Sequence, residues 1–364
     1  MENIKRPYLI AGPCSVESHA QLLNVSKALC AVPNVQLIRT GVWKPRTRPG
    51  GFEGLGEQAL QWMRQIADSP LRMADGGPVR YCCEVARPEH VELCMQYGIS
   101  HVWIGARTTV NPFMVEEICQ SLRGTGISVM VKNPASPDLG LWIGAIERLM
   151  QSGITDIKAI HRGFTTYNPR TLPQSNGPHY RNQPLWEIPI SLHREMPDIP
   201  ILCDPSHIGG SRELVAPLCL AAMLIDFDGL MIEVHPDPAT AWTDANQQIT
   251  PDALVRIVGG LNLQQPAGTT DAEHQLAPLR DSIDTIDHQL VGLLAERMEL
   301  SRKIADIKRQ CHMPVFQSQR WQSVLHDRLV QATAIGLDAS FMRELLEKIH
   351  AESVRVQLEG QSST

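Results

Sequence analysis

No apolar run in this 364-residue chain is long enough to span a bilayer, so no transmembrane helix and no membrane partner are expected. Met1 to Ser15 lacks the apolar core and cleavage site of a secretory signal. No two cysteines form a CxxC pair, which argues against a structural zinc site. The nine cysteines are odd in number and scattered through apolar segments such as Tyr81-Cys82-Cys83. Reduced, buried thiols in a cytoplasmic protein account for them better than a disulfide framework. Basic charge is not in excess either: the net charge is −6, and nothing global favours nucleic acid. The 43% apolar content is ordinary for a chain with a real core, and the length predicts two domains or a barrel with an addition.

What is present begins with Arg39 to Thr47, RTGVWKPRT. Arg39, Lys44 and Arg46 follow the apolar run Val35–Ile38. Pro45 cannot donate a ladder hydrogen bond, so the strand ends before it. Guanidinium forks with a lysine beside them suit an oxyanion, although a solvated basic loop fits this stretch alone equally well. Similar apolar runs recur near Tyr8–Ile10, Arg80–Cys83, His101–Ile104, Ser128–Val131, Asp156–Ile160, Pro200–Cys203 and Leu230–Val234. Helical patterns fall between most of them. Strands that alternate with helices and read as near-continuous apolar runs predict a parallel sheet covered on both faces. The size is that of a (β/α)8 TIM barrel. A doubly wound open sheet is the alternative, but no GxGxxG follows the first strand. That strand starts close to Met1, so no regulatory domain is expected ahead of the barrel.

The strands run into Cys14, Arg39, Glu84, Arg107, Lys132, Arg162, His207 and Glu233. In a barrel, such strand ends form one rim, where catalytic groups gather. Arg39, Lys44, Arg46, Arg107, Lys132 and Arg162 would repel one another unless anions fill the space. Cys14, His207, Glu233 and Asp244 mix borderline and hard donors, a set that suits Mn, Fe, Co or Zn rather than Mg or Ca.

Ala11-Gly12-Pro13-Cys14-Ser15, Lys44-Pro45-Arg46-Thr47, Gly105-Ala106-Arg107-Thr108, Val131-Lys132-Asn133, His161-Arg162-Gly163, Asp204-Pro205-Ser206-His207 and Ile232-Glu233-Val234-His235 resemble a family's motifs. The family is 3-deoxy-D-arabino-heptulosonate 7-phosphate (DAHP) synthase, in the compact subtype related to 3-deoxy-octulosonate 8-phosphate synthase. The resemblance spans residues 1–261. It implies condensation of phosphoenolpyruvate with erythrose 4-phosphate, with one divalent metal ion on Cys14, His207, Glu233 and Asp244. It implies that Arg107 and Arg162 grip the phosphoenolpyruvate phosphate, close to Gly105 and Ala106. Arg39, Lys44 and Lys132 would hold the carboxylate and reacting carbons, Arg46 and Thr47 the phosphate of the aldehyde, and Glu84 would lie near the pocket. Lys44, Glu84 and Lys132 are thereby the candidate catalytic groups. The octulosonate relative has Asn near Pro45 and Arg46, so Lys-Pro-Arg-Thr favours the four-carbon aldehyde over arabinose 5-phosphate. Gly163 to Gln183 is expected to be a lid.

Residues 262–273, rich in Pro, Gly and Thr, are expected to be a linker. Apolar residues from Leu279 to Ile307 then recur at helical spacing and predict a helix of about 30 residues over Leu276–Arg309. Two more helices are expected at Gln319–Ala334 and from Ser340 to about Leu358. Three unequal helices cannot bury the first within one small monomer, which predicts a homodimer. Leu279-Arg280-Asp281, Ile286-Asp287, Leu294-Ala295-Glu296-Arg297, Lys308, Ser353 and Gln357 resemble the all-helical chorismate mutase family over about residues 274–358. That resemblance implies a domain 274–364 in which Arg280 reaches the partner subunit's site. Arg280, Arg297 and Arg320 would hold the carboxylates of chorismate, with Ser353 beside them. Lys308 and Gln357 would bond its ether oxygen. Gln317 and Trp321 depart from the pattern, Trp321 standing where a Glu or Gln contacts the substrate hydroxyl. A non-catalytic helical sensor of chorismate or prephenate is the alternative, and feedback control of the barrel by either compound is expected.

Overall fold

The computed structural model describes residues 7–44, 50–165, 179–261 and 270–359. Arg46, Thr47, most of the expected lid and most of the expected linker lie outside the described residues. The chain divides into two compact units, Met1–Gln264 and Gln265–Thr364.

The first unit is a closed barrel of eight parallel strands in sequence order: β1 Tyr8–Gly12, β2 Val35–Thr40, β3 Tyr81–Val85, β4 His101–Ile104, β5 Ser128–Lys132, β6 Ile157–His161, β7 Ile201–Cys203 and β8 Gly229–Glu233. Closure comes from β1 on β8, with Tyr8 opposite Gly229 and Gly12 opposite Glu233. All eight expected strands are present, so the TIM barrel is borne out and the open sheet is not. Several helices of this unit start where side chains can take up free backbone N–H groups. Ser18, Asn111, Asp138 and Thr250 cap His19–Cys30, Pro112–Leu122, Leu139–Gln151 and Pro251–Gly260 in this way. Pro251–Gly260 and two short helices, Ala106–Thr109 and Pro205–Gly209, are additions to the expected pattern. The short ones have no amphipathic repeat to announce them.

The apolar core forms two layers. Leu9, Ile38, Cys83, Val102, Val131, Ala159, Cys203 and Ile232 face the helices and join the larger cluster. Ile10, Leu37, Cys82, Trp103, Met130, Ile160, Leu202 and Met231, one from each strand, fill the barrel interior.

The second unit has helices Thr270–Gln310, Ser318–Ala334 and Ala339–Glu359. The last helix packs against both others. The first is 41 residues, longer than expected, because it begins at Thr270, inside the predicted linker. Pro278, its ninth residue, lies beyond the first turn and removes one interior backbone N–H donor. Leu279, Ile283, Ile286, Leu290 and Leu293 are each more than half exposed on this helix. No helix among the described residues is long and apolar enough to cross a membrane.

Candidate functional site

Side chains alternate along a strand, so the inward position above each interior residue lies two residues further on. Those positions are Gly12, Arg39, Glu84, Gly105, Lys132, Arg162, Asp204 and Glu233. All but the glycines are ionisable, which places a ring of charge directly on the apolar plug. The glycines make room: a Cβ at Gly105 would lie 2.1 Å from Glu84 Oε1, and one at Gly12 2.2 Å from the Arg39 carbonyl oxygen. Cys14, Arg107 and His207 therefore do not sit at the strand ends themselves. They follow in the next turn, Arg107 and His207 on the two short helices.

The floor of the site is an ion pair, Arg39 Nη2 to Glu233 Oε1 at 3.0 Å, with both side chains almost wholly buried. Gln247 Nε2 donates to the other Glu233 oxygen at 2.6 Å. The Trp103 ring has the Arg39 guanidinium 5.3 Å and the Lys132 ammonium 5.6 Å from its centroid. Its Nε1 donates to Glu84 Oε2 at 3.1 Å. Arg39 Nε and Nη1 are buried with no hydrogen-bond partner among the described residues. Buried donors of this kind are costly unless a ligand accepts from them.

Asp204 joins two parts of the site. Its Oδ2 accepts from Lys132 Nζ at 2.8 Å and lies 2.8 Å from His207 Nδ1, while its Oδ1 accepts from the His207 backbone N–H at 3.1 Å. The second imidazole nitrogen, Nε2, is 3.9 Å from Glu233 Oε1. Ligand atoms of Cys14, Glu233 and Asp244 lie within 4.8 Å of one another. His207 thus stands beside this three-residue cluster rather than within it. Cys14 Sγ is 3.3 Å from Asp244 Oδ2. Lys44 Nζ is 3.0 Å from the same sulfur and donates to the Cys14 carbonyl at 2.8 Å. Asp244 adopts φ +46°, unusual for a non-glycine residue. Its Oδ1 accepts from Arg181 at 3.0 Å. One thiol, two carboxylates and a nearby imidazole whose tautomer is fixed by a carboxylate fit a divalent first-row ion.

Above this floor opens a cavity of about 300 Å³, lined by Lys44, Glu84, Ala106, Arg107, Lys132, Ala135, Arg162, Thr165, Arg181, His207 and Asp244. Burial and then the charges of Arg181 and Arg107 bring the Arg162 pKa down to about 10, still cationic at neutral pH. Burial would raise Asp204, but His207 and Lys132 hold it well below the usual carboxylate range. Asp244 is held at about 2, chiefly by Arg181 against the opposing effect of burial. Burial, then Glu233, pushes the Cys14 thiol up to about 12. Deprotonating that thiol at neutral pH therefore needs a strong local cation.

In the helical unit, Arg297 contacts Ser353 Oγ, and its Nη1 is 3.4 Å from the Ile349 carbonyl oxygen. Lys308 Nζ donates to Gln357 Oε1 at 3.2 Å. Ser353 and Gln357 are buried. The structure thereby gathers Arg297, Lys308, Ser353 and Gln357. Arg280 is exposed and pairs with Glu273 at 2.8 Å, and Arg320 is exposed on the middle helix.

Residues 3–262 match the DAHP synthetase I family. The chain belongs to the DAHP synthetase I family. Residues 279–358 match chorismate mutase type II, so a DAHP synthase domain is followed by a chorismate mutase type II domain. A phospho-2-dehydro-3-deoxyheptonate aldolase of Thermotoga maritima is 31% identical over 241 residues, which cover 66% of this chain and 64% of that protein. The chain thus spans less than two thirds of that relative's length. A crystal structure of the Thermotoga maritima DAHP synthase superposes with TM-score 0.58 at 28% identity, covering 70% of this chain and 67% of that one. The bifunctional chorismate mutase/prephenate dehydratase of Escherichia coli is 34% identical over 86 residues, 24% of this chain and 22% of that protein.

Asp204, Trp103, Arg181 and Gln247 are site residues that the sequence reading did not single out. Asp204 and Trp103 were accessible through strand alternation, since Asp204 directly follows β7 at an inward position and Trp103 lies on the inward face of β4. Arg181 and Gln247 carry no such signal. Replacing Asp204 with Asn should leave the buried Lys132 unpaired and lower the unfolding free energy by about 3 kcal/mol, as measured by urea denaturation at pH 7. The depressed pKa of Asp204 contributes stability above its unfolded value, and that contribution is lost on acidification. Stability of the unaltered protein should consequently fall more steeply below about pH 4 than that of the variant.

Proposed function

We propose that this chain is a cytoplasmic bifunctional enzyme. The first unit would condense phosphoenolpyruvate and erythrose 4-phosphate to DAHP and phosphate, and the second would rearrange chorismate to prephenate. The observation that carries the first half is the cation-lined cavity, with Lys44, Arg107, Lys132, Arg162 and Arg181 beside the Cys14, Glu233 and Asp244 cluster.

Arg107 and Arg162 would hold the phosphate of phosphoenolpyruvate against the backbone of Gly105 and Ala106. The free donors of Arg39 suit its carboxylate, with Lys132 held alongside by Asp204 and Trp103. Arg46 and Thr47 are proposed for the aldehyde's phosphate, by resemblance alone. Holding two phosphorylated substrates in register converts a bimolecular encounter into an oriented one. The terminal carbon of the enol phosphate attacks the aldehyde, whose oxygen takes up a proton. Positive charge develops at the adjacent carbon, water adds there and loses a proton, and the carbon–oxygen bond to phosphate then breaks. Glu84, anchored by Trp103, and Lys44 are the candidate proton-handling groups at that carbon. A divalent ion of the Mn, Fe, Co or Zn type, held by Cys14, His207, Glu233 and Asp244, would supply Lewis acidity toward the aldehyde oxygen.

In the second unit, Arg297 and Ser353 would meet a carboxylate of chorismate. Lys308 and Gln357 would meet the ether oxygen as its bond breaks. The exposed apolar face of the long helix favours a homodimer, in which Arg280 reaches the partner's site. Trp321, in place of a polar contact, favours the second reading: a helical sensor that binds chorismate or prephenate and restrains the barrel.

Incubation with phosphoenolpyruvate and erythrose 4-phosphate should release inorganic phosphate and yield DAHP. Chelation should abolish this, and one of the four metals should restore it. Faster turnover of arabinose 5-phosphate would instead place the barrel with octulosonate synthases. With chorismate alone, the intact protein should consume substrate, while Arg297→Ala should be slower by about 100-fold or more. Equal rates for the two proteins would leave the sensor reading.

A further inference from the structure

The middle and last helices of the second unit bring Trp321 and His350 face to face. Their ring centroids are 3.9 Å apart and the planes 8° from parallel. Phe316 flanks the imidazole at 5.9 Å. Spacings of three and seven residues put His350, Ser353 and Gln357 on one stripe of the last helix. Two members of that stripe already contact Arg297 and Lys308. Arg297 also reaches the carbonyl oxygen of Ile349, the residue before His350. The imidazole therefore belongs to the same site. Its Nε2 is buried and has no hydrogen-bond partner among the described residues.

We propose that His350 supplies the hydrogen bond to the ring hydroxyl of the helical unit's substrate, with Trp321 holding the imidazole in place. This rests on the reading that the unit binds chorismate. The chorismate mutase resemblance implies a polar contact to that hydroxyl at the position of Trp321, whose stacked indole face offers none. A hydroxyl both donates and accepts, and a neutral imidazole offers one nitrogen for each role. Burial, then the charges of Arg297 and Lys308, lowers the pKa of His350, which favours the neutral ring at pH 7. Neutrality also spares the imidazole repulsion from the Arg297 and Lys308 cations. A packing role alone would explain the stacking, but not a buried ring nitrogen left without a partner.

The test is calorimetric titration of the full chain with chorismate, and with a chorismate analogue lacking the ring hydroxyl. Binding serves as the readout because it applies whether the unit is a mutase or a sensor. His350→Ala should weaken chorismate binding roughly 3- to 10-fold, the worth of one neutral hydrogen bond. It should leave the analogue's affinity unchanged. His350→Gln should restore part of the loss, and Trp321→Phe, which keeps a stacking face, should retain most of the affinity. Equal weakening toward chorismate and the analogue would assign His350 to packing and overturn the proposal. Unchanged chorismate binding by His350→Ala would do the same while leaving the mutase reading intact. Failure of the unaltered protein to bind chorismate would overturn both.

Discussion

Arg39 and Glu233 face each other across 3.0 Å at the bottom of the barrel mouth, and both are almost completely removed from water. Desolvating two charges costs several kcal/mol per ion, and a well-packed apolar pair would hold a barrel together as well or better. Stability alone gives little reason to keep this pair. Its placement makes sense as half of a larger charge arrangement. Glu233 also faces the Cys14 and Asp244 cluster, and Arg39 keeps two donors without partners. The same pair turns a carboxylate toward that three-residue cluster and keeps guanidinium donors free for an acceptor.

Much of this architecture is written in the chain at a period of two. Apolar strands end in Arg39, Glu84, Lys132, Arg162 and Glu233, and each of these stands two residues beyond an interior side chain. Alternation therefore carries both the fold and the ring of charge. The linear pattern is silent where a group's role depends on a distant approach. Asp204 looks like an ordinary turn cap until Lys132, 72 residues away, donates to it. Arg181 follows a segment without periodicity and is drawn to the site by Asp244 and Gln247, which accept from it. The long helix shows a different limit. Thr270 and its neighbours have loop-like composition, yet they extend a helix whose apolar stripe starts later, so composition mislaid its beginning.

The two units make their sites by different means. In the barrel, several functional side chains are fixed by a neighbour from another strand, as Trp103 orders Arg39, Lys132 and Glu84. Preorganisation of this kind lowers the reorganisation needed during reaction. The helical unit buries few apolar side chains of its own, among them Ala305, Ala332 and Val356. It leaves Leu279, Ile283, Ile286, Leu290 and Leu293 largely exposed. In the proposed homodimer, a second copy of the chain would bring Arg280 to this site and cover to the apolar face.

The barrel rim is proposed to gather one sulfur, two carboxylates and the neighbouring imidazole around a single cation, beside a pocket for anions. X-ray absorption at the metal edge of the protein loaded with one equivalent of zinc tests it directly. The account predicts one sulfur neighbour at about 2.3 Å, accompanied by nitrogen and oxygen and lost in Cys14→Ser. A shell of nitrogen and oxygen alone in the unaltered protein would contradict it.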